Sequence, residues 1–418
     1  MSASEDGLRA DANVAPTSTA RYARKKLAIV AAAGEILNRD GVKGMTLADV
    51  ASRVGLITTS VTYYFKKKED LAVACLLDSI ARVDAMMEDA LQAATPEKRV
   101  QKLIENWLDA QRRIGEEGAP VITVFNDIRA LQGRHHEIVL EAYMRFFAKV
   151  RRIFECPELD WLDERSRTAR AHIVTEQIFW AVAWLSRYDY EDYGRVCERM
   201  CDIMFRGLAP ADAQWRPGEL ALDAVLAHGQ ALTARETFLI AATRLINEQG
   251  YRGASVEKIS ERLNVTKGSF YHHNEAKDDL VVECFQRSFE TMRRVQRAVI
   301  DQPSDHWSKL TTIAATLIDY QLSHRGPLLR TSALSALPES MRLNMVEASN
   351  RVSDRFASII ADGIASGSVR AVDPFIAAQM LTATLNACAE IRWWIPGAER
   401  ASAPTLYAKP MLMGFFEQ

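Results

Sequence analysis

Cysteine is scarce in this chain: six residues in 418, at 75, 156, 197, 201, 284 and 388, are too few and too scattered to staple it. They read as reduced core thiols. Cys197 and Cys201 stand one helical turn apart, with no His or second Cys pair beside them in sequence, so no metal site is expected there. Uninterrupted apolar runs of 18 or more residues are also missing, and the opening stretch has no basic segment followed by an apolar core. Neither a spanning helix nor a secretory signal is therefore expected, no membrane partner follows, and a cytoplasmic location is the expectation. Charge of one sign is lacking as well: 52 Lys and Arg face 54 Asp and Glu, a formal net charge of -2. That excludes a wholly basic coat, so any site for a polyanion must be local. No phosphate loop, metal-ligand cluster or nucleophile elbow occurs, and neither an enzyme nor a cofactor is expected.

What is present is ordinary soluble composition, 48% hydrophobic and 25% charged, at a length that allows about two to four domains. The informative feature is a repeat. Sliding the chain against itself by 209 residues aligns 24–76 with 233–285 without a gap, with identities that include Asn38/Asn247, Gly41/Gly250, Gly44/Gly253, Arg53/Arg262, Ser60/Ser269, Lys68/Lys277, Leu71/Leu280 and Cys75/Cys284. Beyond residue 76 the match fades, although Trp184/Trp393 falls on the same offset.

Each copy reads as short helices. Residues 24–39 and 233–249 carry apolar side chains at helical spacing and stop at Gly41 or Gly250. Thr233 and Glu236 form a capping-box pattern. A second helix is expected after Thr46 or Ser255, both good N-caps, over 48–53 and 257–262. Gly55-Leu56 or Asn264-Val265 then supply the tight turn, and a third helix follows over 59–64 and 268–273. This is helix-turn-helix spacing. Later helices are punctuated by prolines, and Pro217 with Leu220 to Leu226 suggests a short helix joining the halves.

The stretches Gly55 to Leu71 and Asn264 to Leu280 resemble the recognition-helix signature of tetracycline-repressor (TetR) type regulators, including the lysine before the fourth helix, Lys68 and Lys277. The resemblance implies an all-α fold of two fused units. Each would have an N-terminal three-helix DNA-binding domain and a helical domain that holds a small ligand and pairs through its last helices. The expected layout is a disordered tail at 1–20, DNA-binding domains at 21–70 and 233–280, helical regulatory domains at 71–208 and 281–418, and a linker at 209–232. The halves are expected to pack as an intrachain pseudo-dimer through helices near 163–208 and 373–417, with a homodimer of such chains also open.

By the same resemblance, operator DNA is met by base-edge candidates Thr58, Thr59 and Thr62 in the first copy and Lys267, Gly268 and Tyr271 in the second. Phosphate candidates are Thr46, Ser60, Tyr63, Tyr64 and Lys68, with Ser255, Ser269, His272, His273 and Lys277 as counterparts. The hydroxyls and amines donate to phosphate oxygens, while base edges are read in the major groove. Arg24, Lys25 and Lys26 precede the first motif as further backbone contacts. The copies differ in charge: residues 21–70 hold ten basic and five acidic side chains, and 233–280 hold seven of each. The first should supply most of the salt-dependent attraction. Both depart from the family pattern, the first at Thr58, Thr59 and Thr62, the second at Asn274, where a Phe normally fills the small helical core as Phe65 does.

Elsewhere, aromatic residues recur in apolar helices. Trp107, Phe147, Trp180 and Trp393 are candidate walls for a small-molecule effector. From Asp373 to Trp394 one helix is expected, with Gln379, Asn386 and Glu390 on one face. They read either as the polar rim of a ligand pocket or as the solvent edge of an interface helix. His172, Glu176 and Gln177 invite the same pair of readings. The functional expectation is a ligand-responsive transcriptional regulator, a repressor released by an apolar ligand. The alternative is a regulator whose second helix-turn-helix is an interaction module that does not bind DNA.

Overall fold

The computed structural model describes residues 18–227, 233–263 and 277–417, and every regular element among them is a helix. In the first half these are α1 (Ser18–Gly44), α2 (Leu47–Arg53), α3 (Thr58–Tyr64), α4 (Lys68–Leu91), α5 (Pro96–Glu116), α6 (Gly133–Arg151), α7 (Glu164–Ala181) and α8 (Tyr193–Arg206). After α9 (Leu222–Ala227) the second half follows with α10 (Ala234–Gly253), α11 (Val256–Leu263), α12 (Lys277–Ile300), α13 (His306–Leu322), α14 (Glu339–Ala365), α15 (Pro374–Cys388), α16 (Ile391–Trp394) and α17 (Ala403–Met413). Two 3-10 turns matter below, Phe125–Ala130 and Thr331–Ala336.

Local signals act where the sequence puts them. Thr46 caps α2 by accepting from the Asp49 N–H, and Thr233 and Glu236 form the reciprocal capping box of α10. Gly41 and Gly250 leave helical geometry at φ 61° and 71°, but one further turn follows each, so α1 and α10 run past the expected stop. Three other expectations need correction. The helix expected over 373–394 ends at Cys388 and resumes only as the single turn α16. Pro217 lies in extended chain, where the Gly218 N–H donates to Thr312 Oγ1 at 2.8 Å, and the joining helix begins five residues later. Of the tail, residues 18–20 open α1 and the rest lies outside the described residues, as do 228–232 of the linker.

The duplication extends further than the gapless alignment showed. The Cys75 thiol donates to the Val30 carbonyl and its equivalent Cys284 to Leu239, in both cases pinning α4 or α12 to the preceding first helix. Asn38 donates to the Ile122 carbonyl at 2.9 Å and accepts from the Val124 N–H at 2.8 Å. Asn247 does the same with Leu328 and Arg330, at 2.8 and 3.1 Å. Ser79 accepts from the Thr123 N–H and Ser288 from the Leu329 N–H, each at 2.8 Å. In both halves an asparagine and a serine thus clamp the strand-like segment that leads into a 3-10 turn. The Trp184/Trp393 pair is not part of this repeat: Trp184 is buried, whereas Trp393 is 57% exposed.

The halves meet through α7 and α8 on one side and α15 and α17 on the other. Buried side chains on these helices come from both halves, among them Ile173, Met200, Met380 and Leu412. Backbone bonds tie the ends: Leu208 N–H to the Leu412 carbonyl, Phe415 N–H to Met204 and Arg370 N–H to Leu208, at 2.8 to 3.0 Å. Gly207 sits at this junction with φ 61°, and a Cβ there would lie 2.3 Å from the Leu412 carbonyl oxygen. A second contact is reciprocal: α1 touches the 3-10 turn of the second half, and α10 touches that of the first.

Candidate functional site

In the first helix-turn-helix, Val61 and Phe65 are buried and fix α3 in the small helical core, with Gly55 at φ 66° making the turn between α2 and α3. Thr58 and Thr59 are exposed, while Ser60, Thr62 and Tyr64 are half-buried. Thr62 Oγ1 donates to the Thr58 carbonyl at 2.9 Å, so its hydroxyl proton is used within α3. Tyr63 is 68% exposed and stands edge-on to both Tyr64 and Tyr22, at 5.3 and 6.1 Å. Arg24 and Lys25 are exposed, and Lys26 reaches over the Phe65 ring at 5.6 Å. Lys68 donates from Nζ to the Lys43 carbonyl at 2.8 Å, tying α4 to the end of α1. Lys277 makes the equivalent bond to the Tyr251 carbonyl and lies over the Tyr251 ring. Both lysines therefore fasten the fold as well as offering charge. Ser255 accepts from the Lys258 N–H. The second copy's Lys267, Gly268, Ser269, Tyr271, His272 and His273, with Asn274, lie outside the described residues.

The effector candidates from the two halves converge on one cavity of about 1380 Å³. Trp107, Glu176 and Trp180 enter it from the first half, Gln379, Asn386, Glu390 and Trp393 from the second. Phe147 is not among its walls; it stacks beneath Trp394 at 3.9 Å. Gln379 and Glu390 are buried, which excludes the solvent-edge reading, and the Gln379 carbonyl accepts from the Trp180 indole at 3.2 Å. Asn386 accepts from the Thr331 N–H at 2.9 Å and donates to Glu176 at 3.3 Å. Gln177 points elsewhere, into the interface, donating to the Met380 carbonyl.

Two arginines that sequence reasoning missed complete the polar end. Arg330 donates to Glu390 at 2.5 Å and to Glu176 at 3.2 Å, and Arg129 binds Glu390 from the first half. Each reaches in from a turn rather than a helix face, so no periodicity marks it. Burial, then the neighbouring Arg330, pulls Arg129 down to about 9. His172 lies beneath, its Nδ1 at 2.8 Å from the Tyr407 hydroxyl and its Nε2 at 3.9 Å from both carboxylates. Burial, then the two arginines, holds it well below the usual imidazole range, so it is neutral. His172, Glu176 and Glu390 present ligand-type atoms within 4.8 Å of one another, but Arg330 and Arg129 already supply the carboxylates' counter-charge. Five cysteines are buried and only Cys156 is half-buried. No described helix is long and apolar enough to cross a membrane.

The family described as "Bacterial regulatory proteins, tetR family" matches residues 29–75 and 238–284, and "Tetracyclin repressor-like, C-terminal domain" matches 303–399. The Tn10 TetC protein of Escherichia coli is 29% identical over 94 residues, 22% of this chain and about half (47%) of TetC. The HTH-type transcriptional repressor DhaR of Mycobacterium sp. (strain GP1) is 27% identical over 139 residues, 32% of this chain and 70% of DhaR. Among solved structures, the TetR family regulator PfmR of Thermus thermophilus is 21% identical, with 44% of this chain and 98% of PfmR covered and a TM-score of 0.37. With the N-terminal module present twice, the first copy followed by helices α4 to α8 and the second by the matched C-terminal domain, the chain is a tandem TetR-family regulator.

Proposed function

We propose that the chain is a ligand-responsive repressor that binds operator DNA as an intrachain pseudo-dimer, with one effector cavity serving both halves. The observation that carries this reading is the cavity itself, walled from both halves and reaching the first helix of the second DNA-binding domain at Asn247. An occupant there bears on how the two recognition helices are spaced. DhaR, a relative in part, is named a transcriptional repressor, which favours repression over activation. Because Thr58, Thr59 and Thr62 differ from Lys267, Gly268 and Tyr271, the operator should have two unlike half-sites. Selection of bound DNA from a random pool tests this. An asymmetric site is the expected result; a perfect palindrome would mean that like copies from two chains pair on the DNA.

The zero net charge of residues 233–280 favours a second reading, in which the second helix-turn-helix is an interaction module. A mobility-shift titration separates the two. Lys267→Ala should relax one position of one half-site, with a loss of about 1 to 3 kcal/mol, if that copy reads bases. No effect of Lys267→Ala alongside a large effect of Thr58→Ala would favour the interaction module.

A further inference from the structure

The cavity's charge is unbalanced in a way the fold does not need. Seven lysine or arginine side chains line it against three glutamates. Glu176 and Glu390 are taken by Arg330 and Arg129, and Glu248 is paired outward with Arg262. Of the remaining lining cations, Arg244, Lys258, Arg342 and Arg392 come from the second half. Arg244 is held by the carbonyls of Gly326 and His324, and Arg342 and Arg392 stand with it on the cavity wall without a carboxylate partner among the described residues. Arg244 feels this crowding: burial lowers its pKa first, then Arg392, Arg262 and Arg287. The opposite wall is apolar and aromatic, with Trp107 and Phe125 each edge-on to Phe179 at 5.3 and 5.2 Å. Arg129 lines the same cavity and is the most exposed member of the buried ion cluster, at 28% against 8% for Arg330 and Glu390.

A positive rim around a low-dielectric aromatic slot selects one class of molecule. Resting on the ligand-responsive reading above, we infer that the cavity takes an amphiphilic organic anion, its apolar body among Trp107, Phe125 and Phe179 and its acid group on Arg129, facing Arg342 and Arg392. The acid competes with Glu390 for the Arg129 guanidinium, while Arg330 keeps Glu390 paired. A neutral ligand of the same shape gains only the apolar contacts. A cationic one meets uncompensated like charge.

Quenching of tryptophan fluorescence in the full chain tests this, since Trp107, Trp180 and Trp394 line the cavity. The probes are decanoate, decyl phosphate, decan-1-ol and decyltrimethylammonium, so the two acid groups are compared directly. Both anions should bind at least about tenfold tighter than the alcohol, and the cation weakest. Arg129→Met should bring decanoate to within about threefold of decanol, while Arg129→Lys keeps the preference. The double variant Arg342→Gln/Arg392→Gln, away from the buried cluster, should weaken both anions by about threefold or more and leave decanol unchanged. Equal binding of anion and alcohol, tighter binding of the cation, equal losses on all probes in the rim variant, or no binding of any probe would each overturn the anion assignment. The operator selection is run without ligand, so failure here and failure of the regulator reading are separate results.

Discussion

The Arg129 guanidinium donates at 2.6 Å to the backbone carbonyl of Asn247, joining the 3-10 turn of the first half to α10 of the second. The same arginine binds Glu390 in the cavity. Asn247 in turn accepts from the N–H of Arg330, whose side chain pairs with Glu390 and Glu176. In the first half the residue in the place of Arg330 is Val124, so this ionic link to the cavity is made on one side only. Arg129→Met should therefore raise hydrogen exchange across α10 by about tenfold, from the loss of a charge-assisted bond, and leave α1 unchanged. Equal changes in α1 and α10 would argue against a one-sided link.

Asn38 and Asn247 each satisfy two backbone groups of the segment they clamp. Asn247→Ala should lower stability by about 2 kcal/mol in urea unfolding, because a buried donor and acceptor lose their partner together, and Asn38→Ala by about 1 kcal/mol, because its partners are nearer solvent. A cost in one half but not the other would mean that the two clamps are not equivalent.

Removing Arg330 leaves Glu176 with no cation bonded to it and Glu390 with Arg129 alone. Arg330→Met should cost about 3 kcal/mol, and Arg330→Met/Glu176→Gln should recover part of it. No recovery in the double variant would show that the guanidinium's packing matters more than its charge.

His172 is neutral in the fold because its pKa lies below the unfolded value of 6.5. Between those two values the unfolded chain binds the extra proton, so stability is full above 6.5 and falls as pH drops below it, by at most about 1.4 kcal/mol per pH unit from this group. His172→Gln, which can still bond to the Tyr407 hydroxyl, should flatten the decline of the melting midpoint between about pH 6.5 and 5. An unchanged slope would assign the decline to other groups.

Arg24 and Lys25 are exposed, whereas Lys68 is bonded to the end of α1. Arg24→Gln/Lys25→Gln should reduce the slope of log affinity against log salt by up to about 0.9 for each phosphate no longer neutralised, with no change in melting. Lys68→Gln should lower the melting midpoint as well as operator affinity.

The helix-turn-helix was legible because its signals are local. Thr46, Gly55 and Thr233 each act within four residues, and hydrophobic spacing does the rest. The repeat was lost past residue 76 for a traceable reason. Ser79/Ser288 still keep the offset of 209, but Ile122/Leu328 and Val124/Arg330 stand 206 apart, so a gapless slide misses the second clamp. The shared face of Gln379 and Asn386 was readable from helical spacing, whereas Glu390 joins them from the break after Cys388. Their partners were not, since Arg129 approaches from a turn of the other half and Arg330 from a turn 60 residues earlier in the same half. The break after Cys388 left no mark in the sequence because Ala389 and Glu390 are ordinary helix residues, and Trp393 turned outward with it.

The backbone bonds at Leu208, Arg370 and Phe415 fasten one half of this chain to the other. Two separate subunits joined this way would come apart on dilution, and their DNA-bound fraction would rise with the square of subunit concentration. Here the partner is always present at an effective concentration of about millimolar or more, set by the linker. Occupancy of an operator read by one chain should then follow the first power of concentration down to the scarcest levels, so that a handful of molecules can hold a site. The two halves are also freed from sameness, since a substitution in one recognition helix no longer repeats itself in the other.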